Sequence, residues 1–446
     1  MSESKDRNIR AARHASRATV SFATLGCKTN QFETAAMQER LTTAGYRVLP
    51  FEEGADLVIV NTCTVTGATD AQSRNLVRRA RRFNADCRVV VTGCYAQVDP
   101  QVFTDMPGVS LVIGNEEKRQ LLELLEADAD QARVAVSNIR QVETACLPPL
   151  TSFAGRSRAF VQIQNGCDAF CSYCIIPYAR GGSRSAAPDG VVDQVRALVA
   201  AGYPEIVLTG IHIGGYGLDL QPATSLLELV GRIERETALS RLRLGSIEPT
   251  EISEALIEAA AGSAIVCPHF HIPLQSGDDA VLRRMGRNYD RNFFHHLVQR
   301  IHERLPDAAV GLDVITGFPG ETECEFGNSL ALIADLSVSH LHVFPFSKRP
   351  GTPAAAMSDQ VPGNISKTRA ERLRKLGEEK QRVFAERFIG RKLEVVVEAG
   401  STGRRLKGIS RNYLDVQFAG PKTLCGHTAV IEVTALDGLQ LIGQLV

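Results

Sequence analysis

Apolar positions fall into short continuous runs separated by longer amphipathic stretches. In the first third of the chain the runs lie at 19–25, 57–61, 88–92 and 110–113, and helical spacing appears between them, as at 31–44 and 68–83. Strands alternating with helices predict an α/β unit built on a parallel sheet. From residue 158 the alternation repeats about six times, with strands ending near Gln164, Thr209, Ser246, Leu274, Ile315 and Pro345. Six units make most of a (β/α) barrel, left open on one side, where a large substrate can approach the strand ends. A long charged helical pattern at 366–388 closes this segment. From about Arg391 five short strands follow, at 393–398, 406–410, 413–418, 428–433 and 439–445, separated by Gly, Asn and Lys. They predict a small β-barrel of a kind that often binds RNA.

The expected fold class is therefore α/β multidomain. Its parts are a flexible tail (1–17), a parallel α/β domain (18–130), a linker (131–152) containing Pro148 and Pro149, a partial (β/α)6 barrel (153–388) and a terminal β-barrel (389–446). No run approaches the roughly 18 apolar residues of a membrane span, so no membrane partner is expected. Fifty basic and fifty acidic residues cancel, which leaves nucleic-acid affinity to local patches. Arg74, Arg78, Arg79, Arg81 and Arg82 crowd one helix pattern, where a solvated face is the commoner role. Arg391, Lys392, Arg404, Arg405, Lys407 and Arg411 load the terminal barrel. Eleven cysteines without an apolar signal segment point to a reducing, cytoplasmic setting, where thiols more often bind metals or act in catalysis than form disulfides.

Cys167, Cys171 and Cys174 stand at spacings of four and three in a loop after the strand pattern 159–164. Three thiolates so spaced can wrap one corner of a cubane iron–sulfur cluster and leave one iron open. A zinc site or buried free thiols is the competing reading, but structural zinc normally takes four protein ligands, and no fourth Cys or His stands near this loop. Cys27, Cys63 and Cys94 each follow the carboxyl end of an expected strand, where open α/β sheets place their ligands. Dispersed cysteines are more often core residues, yet this shared placement points to a second three-cysteine cluster. Cys87, Cys146, Cys267, Cys324 and Cys425 lack it and are read as structural.

The loop from Cys167 to Cys174, with Tyr173 just before its third cysteine, resembles the radical S-adenosylmethionine signature. Further strings are Gly26-Cys27-Lys28-Thr29-Asn30, Asn61-Thr62-Cys63-Thr64-Val65-Thr66, Thr92-Gly93-Cys94 and Cys171-Ser172-Tyr173-Cys174-Ile175-Ile176-Pro177-Tyr178-Ala179-Arg180-Gly181. With them the chain resembles the methylthiotransferase family from about residue 18 to its end. The resemblance implies an N-terminal cluster domain, a radical S-adenosylmethionine barrel and a C-terminal RNA-binding barrel called TRAM. It implies two [4Fe–4S] clusters, one on Cys27, Cys63 and Cys94 and one on Cys167, Cys171 and Cys174, with S-adenosylmethionine as cofactor. It also implies a tRNA substrate, an electron donor of flavodoxin or ferredoxin type, and a sulfur source. The strings 25–31, 61–66 and 344–352 look like the branch that methylthiolates C2 of N6-threonylcarbamoyladenosine beside the anticodon. Sister branches act on isopentenyladenosine in tRNA or on a ribosomal-protein aspartate.

Gly210, Glu248 and Gln275 close expected barrel strands at the end where barrel sites lie. With Arg287 they are the expected contacts of S-adenosylmethionine, helix caps and surface ion pairs being their alternative roles. The segment Gly210-Ile211-His212 departs from the Gly-Gly-Glu by which many superfamily members hold the methionine amino group. Deleting the terminal barrel is expected to stop tRNA modification and need not stop cofactor cleavage.

Overall fold

The computed structural model describes residues 18–127, 133–145, 147–153, 155–399 and 405–446. The expected tail, part of the expected linker, Cys146 and Arg404 lie outside the described residues. Two compact units form. The first comprises the described residues up to Ser152 with Asn165–Ala169 and Cys174–Arg184; the second comprises Phe153–Gln164, Phe170–Tyr173 and Ser185–Val446.

The first unit is built on a sheet of β1 (Thr19–Thr24), β2 (Arg47–Val48), β3 (Leu57–Thr62), β4 (Arg88–Gly93), β5 (Val109–Ile113) and β6 (Arg133–Ala135), in the order β2-β1-β3-β4-β5-β6. Every pairing is parallel. β3 is buried along its whole length because both its faces are covered. Val58 and Val60 pack with Val77, Ala80 and Phe103, whereas Leu57 and Ile59 pack with Met37, Leu41 and Leu121. Alternate residues of one strand thus serve two cores. The helix Gly67–Phe83 begins at a capping box made by Thr66 and Thr69. Its arginines are partly engaged: Arg74 donates to the Tyr95 hydroxyl at 2.7 Å, Arg81 to the Ala85 carbonyl at 2.7 Å, and Arg79 lies over the rings of Phe51 and Phe83. The short edge strands β2 and β6 carry no apolar run, and the sequence pattern does not show them.

In the second unit six parallel strands, Arg158–Gln162, Glu205–Thr209, Arg241–Leu244, His269–Gln275, Ala309–Thr316 and His340–Pro345, form two three-stranded sheets. Parallel bridges Leu242↔Val266 and Ser246↔His271 join the third strand segment to the fourth, which gives one open arc. Ile206, Leu208, Leu242, Ile272, Leu274, Leu312 and Val314 are fully buried on one side of the strands. The alternate set includes Glu205, Arg241, Arg243, His269, His271, Asp313, His340 and His342, so the opposite face is polar.

The terminal strands Lys392–Val397, Leu406–Ser410, Asp415–Ala419, Thr428–Asp437 and Gln440–Leu445 close into a barrel. A turn after the second of them is locked onto the amino ends of the arc. Arg241 donates to the Ile409 carbonyl at 3.0 Å, and Arg243 to the carbonyls of Ser410 at 3.1 Å and Arg411 at 2.9 Å. Both guanidiniums and the Glu205 carboxylate between them have no exposed surface. Arg411 reaches back to the carbonyls of Ala264 at 2.8 Å and Val266 at 3.1 Å. Tyr413, in left-handed backbone at φ 65, lies 4.4 Å from the His269 ring and 5.0 Å from the Arg243 guanidinium. This corrects two expectations. The terminal barrel is a structural part of its unit, and removing it strips buried arginines of their acceptors. The expected basic patch is also thinner, since Arg411 is structural, Arg391 pairs with Asp307, and Lys407 pairs with Asp415 and Glu398. Among the described residues, no helix is long and apolar enough to cross a membrane.

Candidate functional site

The parallel register of the first sheet sets Thr24 opposite Asn61, Asn61 opposite Thr92, and Thr62 opposite Gly93. Three adjacent strands therefore end level. Cys27 follows the first and caps the helix Lys28–Thr43; Cys63 follows Thr62; Cys94 opens the helix Cys94–Val98. Hydrogen bonds sew the three loops together. Asn30 donates to the carbonyls of Leu25 at 2.7 Å and Thr62 at 3.0 Å, and Asn61 donates to the Asn30 carbonyl at 3.0 Å. The Thr62 hydroxyl donates to the Thr92 carbonyl at 2.6 Å and accepts from the Ala96 amide at 3.2 Å. Two glycines with positive φ make the approach possible. A Cβ on Gly26 would lie 2.9 Å from the Cys63 sulfur, and one on Gly93 would lie 2.3 Å from the Thr62 carbonyl oxygen.

Cys63 and Cys94 are buried, and Cys27 is exposed. Burial, and then the nearby Cys94 and Cys27, push the Cys63 thiol up to about 11. Cys94 and Cys27 thus lie near enough to Cys63 to oppose its ionisation. One organic cation is built in. Arg180, wholly buried, donates from Nε to the Cys94 sulfur at 3.3 Å and from its terminal nitrogens to Glu33, Asn30 and Asn165. Glu33 also pairs with Lys118, which donates to Asn115 at 2.7 Å. Burial would raise the Glu33 carboxyl, but Arg180 and Lys118 outweigh it and bring it down to about 2. One carboxylate between two cations leaves net positive charge beside the Cys94 sulfur. That environment fits an anionic thiolate-ligated iron–sulfur cluster. The sequence gives no local signal of this network, because Arg180 lies 86 residues from Cys94 and 147 from Glu33.

The second cysteine loop spans both units and is described within each. In the first, the Cys167 amide donates to the Gly181 carbonyl at 3.0 Å and the Cys167 sulfur accepts from the Ala169 amide at 3.4 Å; Cys174 is half-buried. In the second, Cys171 is buried, with its sulfur 3.2 Å from an Arg287 nitrogen. Arg287 pairs with Glu248, donates to the Tyr289 hydroxyl at 3.2 Å, and is itself buried. Tyr289 is anchored on the carbonyls of Pro273 at 2.8 Å and Leu274 at 2.9 Å. Glu248 and Arg287 are thus brought to Cys171 as an internal pair and not as surface charges. Gly210 serves a tight turn, where a Cβ would lie 2.7 Å from Ile213 and 2.8 Å from the Gln164 carbonyl oxygen. Gln275, at φ 62, stands at the register break that ends the fourth strand.

Residues 19–114 match the family described as Uncharacterized protein family UPF0004, and residues 161–333 match the Radical SAM superfamily. The chain is 41% identical over 425 residues to the threonylcarbamoyladenosine tRNA methylthiotransferase MtaB of Bacillus subtilis, covering 93% of this chain and 94% of that one. It belongs to the MtaB-like branch of the radical S-adenosylmethionine methylthiotransferases. The MtaB protein of Rickettsia prowazekii is 42% identical to this methylthiotransferase-family chain over 379 residues, covering 84% and 87% of the two. Among solved structures, the radical S-adenosylmethionine methyltransferase TsrM of Kitasatospora setae matches the fold with a TM-score of 0.57 at 19% identity, over 76% of this chain and 75% of that one. In this family member the UPF0004 match covers β1 to β5 with Cys27, Cys63 and Cys94, and the Radical SAM match covers Cys167, Cys171 and Cys174.

Proposed function

We propose that the protein inserts a methylthio group at C2 of N6-threonylcarbamoyladenosine 37 in tRNA, using two [4Fe–4S] clusters and S-adenosylmethionine. The reading rests above all on Cys27, Cys63 and Cys94 standing at level ends of adjacent strands with the Arg180 cation against Cys94. Near-full-length identity to threonylcarbamoyladenosine tRNA methylthiotransferases supports the substrate. Cys167, Cys171 and Cys174 would hold the cluster that serves the cofactor, and Cys27, Cys63 and Cys94 the other. When bound, these groups supply one-electron cleavage of the sulfonium to a carbon radical and a metal site for the incoming sulfur.

The chain's own residues do the rest. Arg287 steadies the Cys171 sulfur by a charged hydrogen bond, and Glu248 and Tyr289 hold its guanidinium in place. Glu248 keeps a mostly buried side chain there, 27% exposed, that can accept from an ammonium, which is the group a Gly-Gly-Glu segment would otherwise hold. Arg180 and Asn115 aim donors at the Cys94 sulfur. Donors aimed at ligand sulfurs raise the reduction potential of a cluster. Arg180→Met should therefore shift one of the two clusters to more negative potential in a redox titration followed by electron paramagnetic resonance, with iron content kept. An unshifted potential would remove Arg180 from this role. Phosphate contacts to tRNA would come from exposed cations of the terminal barrel such as Lys392 and Arg405.

The function is tested by mass spectrometry of tRNA nucleosides from cells lacking the protein. The methylthio derivative of threonylcarbamoyladenosine should vanish, and the parent nucleoside should take its place. Loss of a methylthiolated isopentenyladenosine instead, or an unchanged profile, would refute the assignment.

A further inference from the structure

The polar face of the arc carries a donor set that contains no sulfur. The fourth, fifth and sixth strands pair in parallel, with Pro273 opposite Asp313 and Asp313 opposite His342, while His271 lies one step lower opposite Gly311. Strand alternation sends His271, Asp313 and His342 to the same side, because their neighbours Ile272, Leu312, Val314 and Val343 are buried on the other. Among the described residues these three offer ligand atoms that all lie within 4.8 Å of one another. His271 Nε2 stands 2.9 Å and His342 Nδ1 3.2 Å from the same Asp313 oxygen.

We propose that His271, Asp313 and His342 hold one divalent cation of the zinc class. Two imidazole nitrogens and one carboxylate suit borderline 3d cations better than calcium or magnesium, which prefer all-oxygen sets. Three neighbouring strands present the donors, so the set is pre-organised by backbone hydrogen bonds and not by a loop. The rings are also fixed from behind. His340 lies 5.4 Å from the His342 ring and 6.0 Å from the His271 ring, and its Nδ1 is 2.9 Å from the Ser339 hydroxyl. A Cβ on Gly311 would lie 2.1 Å from His340 Nε2, so the glycine makes room for that ring. His271 is 14% exposed and His342 54% exposed, so the site opens on one side, where water or an oxygen ligand would complete the coordination. The cysteine trios take no part in this site, and the proposal stands apart from the assigned function.

Cluster-loaded enzyme, equilibrated with micromolar zinc sulfate and then desalted, provides the test. Wild type should retain one zinc per chain more than Asp313→Asn or His342→Gln, with iron content equal in all three. X-ray absorption at the zinc edge should show nitrogen and oxygen neighbours at about 2.0–2.1 Å and not sulfur at about 2.3 Å. His342→Gln changes a half-exposed side chain and guards against a folding defect in the aspartate variant. Zinc bound only through sulfur, zinc retained by both variants at the wild-type level, or no zinc retained by wild type would overturn the proposal.

Discussion

Cys63→Ala should keep cleavage of S-adenosylmethionine and lose all methylthio insertion, whereas Cys171→Ala should lose both. The two cysteines stand in different surroundings. Cys63 follows β3 in the first unit, among Gly26, Cys94 and the loops sewn by Asn30 and Thr62. Cys171 belongs to the second unit, under the Arg287–Glu248 pair, and its neighbour Ser172 is tied to the Met285 carbonyl at 2.9 Å. Replacing Cys63 leaves every hydrogen bond around Cys171 in place. On the proposed assignment, removing Cys171 takes away one of three ligands from the cluster that would deliver the electron. Reduced, reconstituted variants are compared by two products, 5′-deoxyadenosine and the methylthiolated nucleoside. A Cys63→Ala protein that methylthiolates at the wild-type rate would end the division of labour between the trios.

Glu205→Ala should destabilise the second unit by about 3–5 kcal/mol, the usual penalty for leaving buried charges without their partner. Its carboxylate lies 2.7 Å from both Arg241 and Arg243, and all three side chains are fully buried. The remaining bonds of Arg243 go to backbone carbonyls of the terminal barrel, which cannot neutralise its charge, while Arg241 keeps as counter-charge only the exposed Glu394 carboxylate at 3.5 Å. Burial would raise the Glu205 carboxyl, but Arg243, Arg241 and Arg158 prevail and bring it down to about 2. A carboxyl depressed in the folded state contributes stability that is complete above its unfolded value near 4.5 and fades as pH falls toward 2. The gap in urea midpoint between wild type and Glu205→Gln should thus be constant above about pH 5 and narrow below it. A gap independent of pH would show that the carboxylate's charge is not what holds the junction. A chain cut at residue 389 should misfold for the same reason, and also because Phe384, Phe388 and Ala309 share a core with the terminal strands.

Some of this was legible in the sequence, and the reason is physical. Strands buried on both faces are apolar on both, so Leu57–Val60 of β3 and Val89–Val91 of β4 stand out as runs. A cysteine just past such a run must lie at the carboxyl end of a parallel sheet, which is where Cys27, Cys63 and Cys94 are found. The small terminal barrel shows as five short runs for similar reasons. Long-range charge networks leave no such trace. Arg180, Glu33 and Lys118 come from a short helix, a long helix and a 3-10 turn, and only the folded sheet joins them. Arg241 and Arg243 alternate with leucines, a pattern that reads as a strand with one solvated face, yet both are buried under the turn at Arg411. Composition likewise overstated the basic surface of the terminal barrel, because charge alone does not reveal which arginines are already hydrogen-bonded.

The most direct test of the account is to count iron and acid-labile sulfide in anaerobically reconstituted protein. Wild type should hold about eight iron atoms per chain, in two sites resolved by Mössbauer spectroscopy, and a variant with Cys27, Cys63 and Cys94 all replaced by alanine should hold about four. That variant should still release 5′-deoxyadenosine. About four irons in wild type, or an iron content untouched by the triple replacement, would contradict it.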